Sequence, residues 1–171
     1  MNKSGNIVLI GMMGSGKTTV GKAVAERLGM GFVDIDQMIE NGRGETVSEI
    51  FEKYGSDLFR ILELQAAVKA AVHKNVVVAT GGGTVLNDES MSRLKESAAA
   101  VVFLNRDINK IIETVDTTTR PLLAEGADKL YEIYNERLPL YRKWCDIEIT
   151  EEFDGIGQAA DCIINVITPS V

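Results

Sequence analysis

The residues Gly11-Met12-Met13-Gly14-Ser15-Gly16-Lys17-Thr18 fit the pattern G-x-x-x-x-G-K-[ST], whose chemistry resides in the backbone. Glycines allow successive N–H groups to turn inward around phosphate oxygens, and the N-terminus of a following helix adds about half a positive charge. Lys17 would reach the β- and γ-phosphates of a nucleotide, and the Thr18 hydroxyl would ligate Mg²⁺. Gly14, Ser15, Gly16 and Thr19 complete the expected nucleotide contacts. The context suits such a loop. The apolar run Ile7-Val8-Leu9-Ile10 precedes it, and Val20 to Leu28 follows with apolar residues at helical spacing.

Phe32-Val33-Asp34-Ile35-Asp36 places two carboxylates two residues apart at the end of a second strand-like run. Period-two geometry would put both on one face, aimed into the crevice beside the glycine loop. Asp34 suits Mg²⁺, shared through water with Thr18. Asp36, further out, suits a substrate hydroxyl, as hydrogen-bond acceptor or base; a solvated turn with Asp36 as helix N-cap is the plainer alternative. Val76 to Thr80 leads into Gly81-Gly82-Gly83, where bare backbone lets a small ligand approach main-chain N–H groups. Arg60 and Glu63 stand at i and i+3 on a helical stretch. Arg120 precedes Pro121 in a polar loop, and Arg137 precedes Leu138-Pro139-Leu140-Tyr141, where the proline should disrupt a helix and expose its end. Arginines from three segments meeting at one crevice would neutralise a triphosphate and an anionic second substrate.

The elements that must position these residues alternate along the chain. Strand-like runs recur at 6–10, 32–35, 76–80, 99–104 and 146–149. Amphipathic stretches lie near 17–28, 46–54, 58–73, 88–96, 107–115, 127–143 and 156–167. Such alternation predicts an α/β sandwich on a mostly parallel sheet, with ligands at the carboxyl ends of its strands. The 171 residues are read as a single domain 1–171. The stretch of about 35–60 is longer than one crossover needs and should protrude as a small helical subdomain. Residues of about 114–124 read as a mobile lid.

Composition narrows the function. A net charge of −7 disfavours a nucleic-acid partner, so positive charge must be concentrated locally at any phosphate site. The longest apolar runs are strand-sized, far short of a membrane span, and no export signal is visible. A cytoplasmic protein is expected. Cys145 and Cys162 have no metal spacing and read as reduced core thiols. His73, the one histidine, reads as a solvated helix C-cap.

Taken together, the phosphate loop at 11–18, D-x-D at 34–36, F-R-x-x-E at 59–63, G-G-G at 81–83, R-P-L-L at 120–123 and R-x-P-L-Y at 137–141 resemble the shikimate kinases in content and order, over nearly the whole chain. The resemblance implies the nucleoside monophosphate kinase fold, a P-loop kinase fold in three layers. Its five-stranded parallel sheet carries a lid and a substrate-binding subdomain. It implies that the chain, expected to be a monomer, phosphorylates the 3-hydroxyl of shikimate with ATP and Mg²⁺. Arg60 and Arg137 would grip the shikimate carboxylate, with Glu63 orienting Arg60. Asp36 and the Gly82 backbone would hold ring hydroxyls, and Arg120 would swing in with the lid onto the nucleotide phosphates. Two positions depart from the family. An adenine-packing arginine common in relatives is replaced at Glu113-Thr114, and Gly55-Ser56 stands where many relatives have Gly-Glu. Rival expectations are a kinase for another acceptor such as gluconate or a nucleoside monophosphate, and a nucleotide-binding switch without a small-molecule acceptor. The N-K-x-D signature of a GTPase is absent, Asn2-Lys3-Ser4-Gly5 being its nearest approximation.

Overall fold

In the first strand, Ile7 and Leu9 face one apolar cluster while Val8 and Ile10 face another, because successive side chains of a strand point to opposite sides. This double burial makes a central parallel strand read as an unbroken apolar run. The structure, a computed structural model, describes residues 5–114, 127–150 and 153–168. Its strands are β1 (Asn6–Ile10), β2 (Gly31–Asp34), β3 (Val76–Ala79), β4 (Ala98–Leu104) and β5 (Ile147–Ile149). They form one parallel sheet in the order β2-β3-β1-β4-β5. Helices α1 (Lys17–Leu28), α2 (Ile35–Arg43), α3 (Val47–Val72), α4 (Asp88–Ser97), α5 (Ile108–Thr114), α6 (Ala127–Trp144) and α7 (Ile156–Ile167) cover it. The α/β sandwich expected from the alternation is the architecture found.

One cluster joins Leu9, Val77 and Val102 to Val20 and Val24 of α1 and to Ala160 and Ile163 of α7. The other joins Val8, Val78 and Phe103 to Ala67 of α3, Leu94 of α4 and Tyr141 of α6. The middle strand β1 pairs with β3 on one side and β4 on the other, so the loop leaving β1 opens at the point where the connections diverge, which is where open α/β sheets bind ligands. Among the described residues no helix is long and apolar enough to cross a membrane.

The stretch after β2 forms α2 and α3. Thr46 caps α3 in a capping box with Glu49. Gly55, at φ 76° and ψ −177°, breaks α3 into the two parts that the sequence shows as separate amphipathic stretches. His73 is the C-cap of α3. The cysteines differ from the expected core thiols in degree: both are free and only half-buried, Cys145 against one apolar cluster and Cys162 against the other. Burial pushes the Cys145 thiol pKa up.

Candidate active site

The phosphate loop is built around Gly16, the N-cap of α1, whose φ of 92° is one that side chains rarely adopt. No side chain caps this helix end, so the first-turn amides of α1 are directed at the loop as an anion cradle. Lys17 is buried, and its ammonium donates to the carbonyls of Gly11 at 2.8 Å and Met12 at 2.7 Å. The Thr18 hydroxyl donates to Asp34 Oδ2 at 2.6 Å. Asp34 Oδ1 accepts the Gln37 amide at 3.2 Å and so caps α2. That cap corrects the strand reading of Asp34 and Asp36. The strand ends at Asp34, and Asp36 sits in the first turn of α2, placed there by helical rather than period-two geometry. The N-cap is Asp34, not Asp36. Both carboxylates nevertheless line one cleft.

That cleft, of about 580 Å³, gathers Asp36, Arg60, Glu63, Gly82 and Arg137 from four separate segments. Glu63 is nearly inaccessible at 1% exposure, and a buried carboxylate is costly unless its oxygens are held. Arg60 donates to its Oε2 at 2.5 Å and the buried Thr84 hydroxyl to its Oε1 at 2.7 Å. The guanidinium of Arg60 is thus fixed against the glycine turn. A Cβ on Gly83 would overlap it, coming within 2.8 Å of Arg60 Cζ. A Cβ on Gly82 would lie 2.9 Å from the backbone nitrogen of Met13 in the phosphate loop. Close approach on both sides, rather than turn flexibility, explains the run of glycines.

Arg137 lies deep in the wall at 6% exposure, and its Nε has no hydrogen-bond partner among the described residues. A desolvated guanidinium of this kind fits a carboxylate arriving with the ligand. Here the proline expectation fails. Helix α6 continues through Pro139 to Trp144, so Arg137 projects from a helix interior rather than an exposed end. Proline removes its own N–H bond and crowds the carbonyl four residues back, but the packing of Leu138, Leu140 and Tyr141 against the core holds the helix together across the gap.

Residues with no role from sequence also converge here. Tyr141, one turn beyond Arg137, is fully buried and donates to the Gly82 carbonyl at 2.6 Å. Burial pushes its pKa up to about 12, against the opposing pull of Arg137 beside it. Arg106, just past the end of β4, donates to the Gly14 carbonyl at 3.1 Å. It lines a second cleft of about 480 Å³ with Ser15, Gly16, Thr19, Lys110 and Phe153. Glu113 is exposed on α5 and does not line it. The position of Arg106 beyond a strand's carboxyl end was the available signal for it; the helical spacing from Arg137 was the signal for Tyr141. Arg120 and the expected lid, from residue 115 onward, lie outside the described residues.

The donor set also bears on the metal. Among the described residues no group of three or more His, Cys, Asp or Glu side chains could hold an ion. A hydroxyl and a carboxylate at 2.6 Å beside a phosphate loop fit Mg²⁺, which keeps water and substrate oxygens and needs only one or two protein ligands.

Comparison with known proteins agrees with this geometry. A family model described as shikimate kinase matches residues 13–168. A shikimate kinase of Thermoanaerobacter pseudethanolicus is 46% identical over 161 residues, covering 93% of this chain and 94% of the relative. One from Thermodesulfovibrio yellowstonii is 47% identical over 142 residues, covering 81% of each. Among solved structures, shikimate kinase from Acinetobacter baumannii in complex with shikimate superimposes with a TM-score of 0.91 at 36% identity, over 95% of this chain and 92% of the other. On the motif order, the fold and these likenesses, the chain belongs to the shikimate kinase family, a family of phosphotransferases.

Proposed function

We propose that this chain transfers the γ-phosphoryl group of ATP to the 3-hydroxyl of shikimate, giving shikimate 3-phosphate and ADP. The observation that carries this reading is the meeting of Arg60 and Arg137, from different helices, in one cleft with Asp36 and Gly82. Two guanidiniums grip a carboxylate, and a carboxylate with a bare backbone turn receives hydroxyls. A carboxylated ring alcohol has both. The bound ligand of the Acinetobacter baumannii neighbour is such a molecule.

Catalysis here is positioning and charge stabilisation, because phosphoryl transfer asks for little covalent work from the protein. The α1 amides and Lys17 hold the β- and γ-phosphates. Thr18 and Asp34 would hold Mg²⁺, which would supply charge neutralisation at the phosphate oxygens. Asp36 orients the attacking hydroxyl and accepts its proton. Arg120 is assigned to the transferring group by family resemblance. The nucleotide base falls to the second cleft, where Arg106 supplies a cation that Glu113 does not.

A coupled assay with ATP, Mg²⁺ and each of shikimate and gluconate tests the reading. ADP release should depend on shikimate and yield one phosphorylated product. Faster turnover with gluconate would overturn the acceptor, and ADP release with no acceptor dependence would favour a switch or simple hydrolase.

A further inference from the structure

The phenol of Tyr141 is buried on α6, four residues after Arg137, behind the cleft wall and not itself among the residues that line it. Its ring stacks on Phe103 of β4, with centroids 4.8 Å apart and planes at 21°. Its hydroxyl reaches the Gly82 carbonyl at 2.6 Å. No peptide bond among the described residues is cis, so the Gly83 N–H points opposite to the Gly82 carbonyl and away from the buried tyrosine; Gly82 and Gly83 both line the cleft. The same turn is wedged against the phosphate loop at Met13 and against the Arg60 guanidinium. Among the described residues the amides of Gly81, Gly82 and Gly83 donate to no backbone carbonyl.

We infer that Tyr141 is a positioning residue, whose hydroxyl fixes the Gly81–Gly83 turn so that the acceptor hydroxyl is held in line with the phosphate in the neighbouring loop. The inference rests on the proposed shikimate kinase reaction. Arg137 and Tyr141 are one helical turn apart on the same face of α6. A single rigid segment therefore sets the distance between the grip on the acceptor's carboxylate and the backbone that meets its ring hydroxyls. Glycines have no side chains to pin them, so the turn depends on this outside anchor. Burial supports the assignment, since the phenol keeps its proton throughout the working pH range. A loosened turn would leave Arg137 in its place on α6 and the Glu63 bond that holds Arg60 unbroken. It would misplace the hydroxyl, and misplacement of a reacting group by about an ångström costs on the order of 100-fold in rate.

Tyr141→Phe keeps the ring and its stacking and removes only the hydroxyl. The full chain and this variant are compared by steady-state kinetics, with ADP and phosphorylated shikimate measured separately. The expected variant shows kcat lowered about 10- to 50-fold, with KM values for shikimate and ATP within about threefold of wild type. ADP should exceed phosphorylated product, because water reaches the phosphate when the hydroxyl is out of line. A residue that merely stabilises the fold would lower the melting temperature and leave the ratio of the two products at unity. Wild-type kcat with a ratio of unity overturns the inference, as does a rise in shikimate KM alone. If Tyr141→Phe does not fold, Phe103→Leu loosens the ring while keeping the hydroxyl. It should uncouple in the same sense, and full coupling in that variant overturns the inference. A wild type that makes no phosphorylated shikimate sinks the underlying reaction instead, so the two failures are told apart.

Discussion

Arg60 and Glu63 show how far a pair of residues is defined by its surroundings. On a free helix an i,i+3 pair contributes little. Here Glu63 is sealed beneath the cleft and holds both Thr84 and Arg60, so the arginine is a fixed donor rather than a flexible surface charge. Arg60→Ala should raise the shikimate KM about 10- to 100-fold, the loss of a charge-assisted hydrogen bond. It should leave kcat within about threefold. The melting temperature should fall by about 5 °C, because the buried carboxylate loses a partner. Steady-state kinetics with thermal melts would check this, and an unchanged KM refutes the assigned grip. The residues were visible in sequence as F-R-x-x-E. Their burial and the third partner, Thr84, were not, since Thr84 is 21 positions away.

At the scale of elements, α3 is two helices joined at Gly55. The first part carries Glu45's partners Lys53 and Tyr54, and the second presents Phe59, Arg60 and Glu63 to the cleft. With φ at 76° and ψ at −177°, the joint occupies backbone space open essentially to glycine. Gly55→Ala should cost about 1–3 kcal/mol of stability, and it should disturb shikimate KM more than ATP KM because the kink sets the approach of Arg60. Equilibrium denaturation and kinetics would decide it, and a variant as stable as wild type would show that the joint is not strained for alanine. The break between 46–54 and 58–73 was legible in the sequence because amphipathicity lapses there. The continuity of α6 through Pro139 was not. Local propensity argued for an end, and packing of the flanking leucines overrode it.

In the whole molecule, the phosphate loop separates two clefts that share no lining residue. Lys17 is buried in the loop itself, bonded to Gly11 and Met12, and lines neither. Lys17→Ala should therefore lower turnover by more than about 1000-fold, the scale of a lost phosphate-neutralising group. Shikimate affinity should stay within about threefold by titration calorimetry. Loss of shikimate binding in that variant would mean that the two halves are not independent.

The sequence by itself determined the parallel α/β core, the phosphate loop and the list of candidate residues, because these follow from local periodicity and from residue types at fixed spacing. Only the tertiary structure decided that Asp34 caps α2 while holding Thr18, that Arg106 faces the second cleft, and that Tyr141 pins Gly82 from 59 residues away. Such contacts are set by which strands become neighbours in the order β2-β3-β1-β4-β5. Pairing between distant segments depends on the packing of the whole chain, and no short window of residues encodes it.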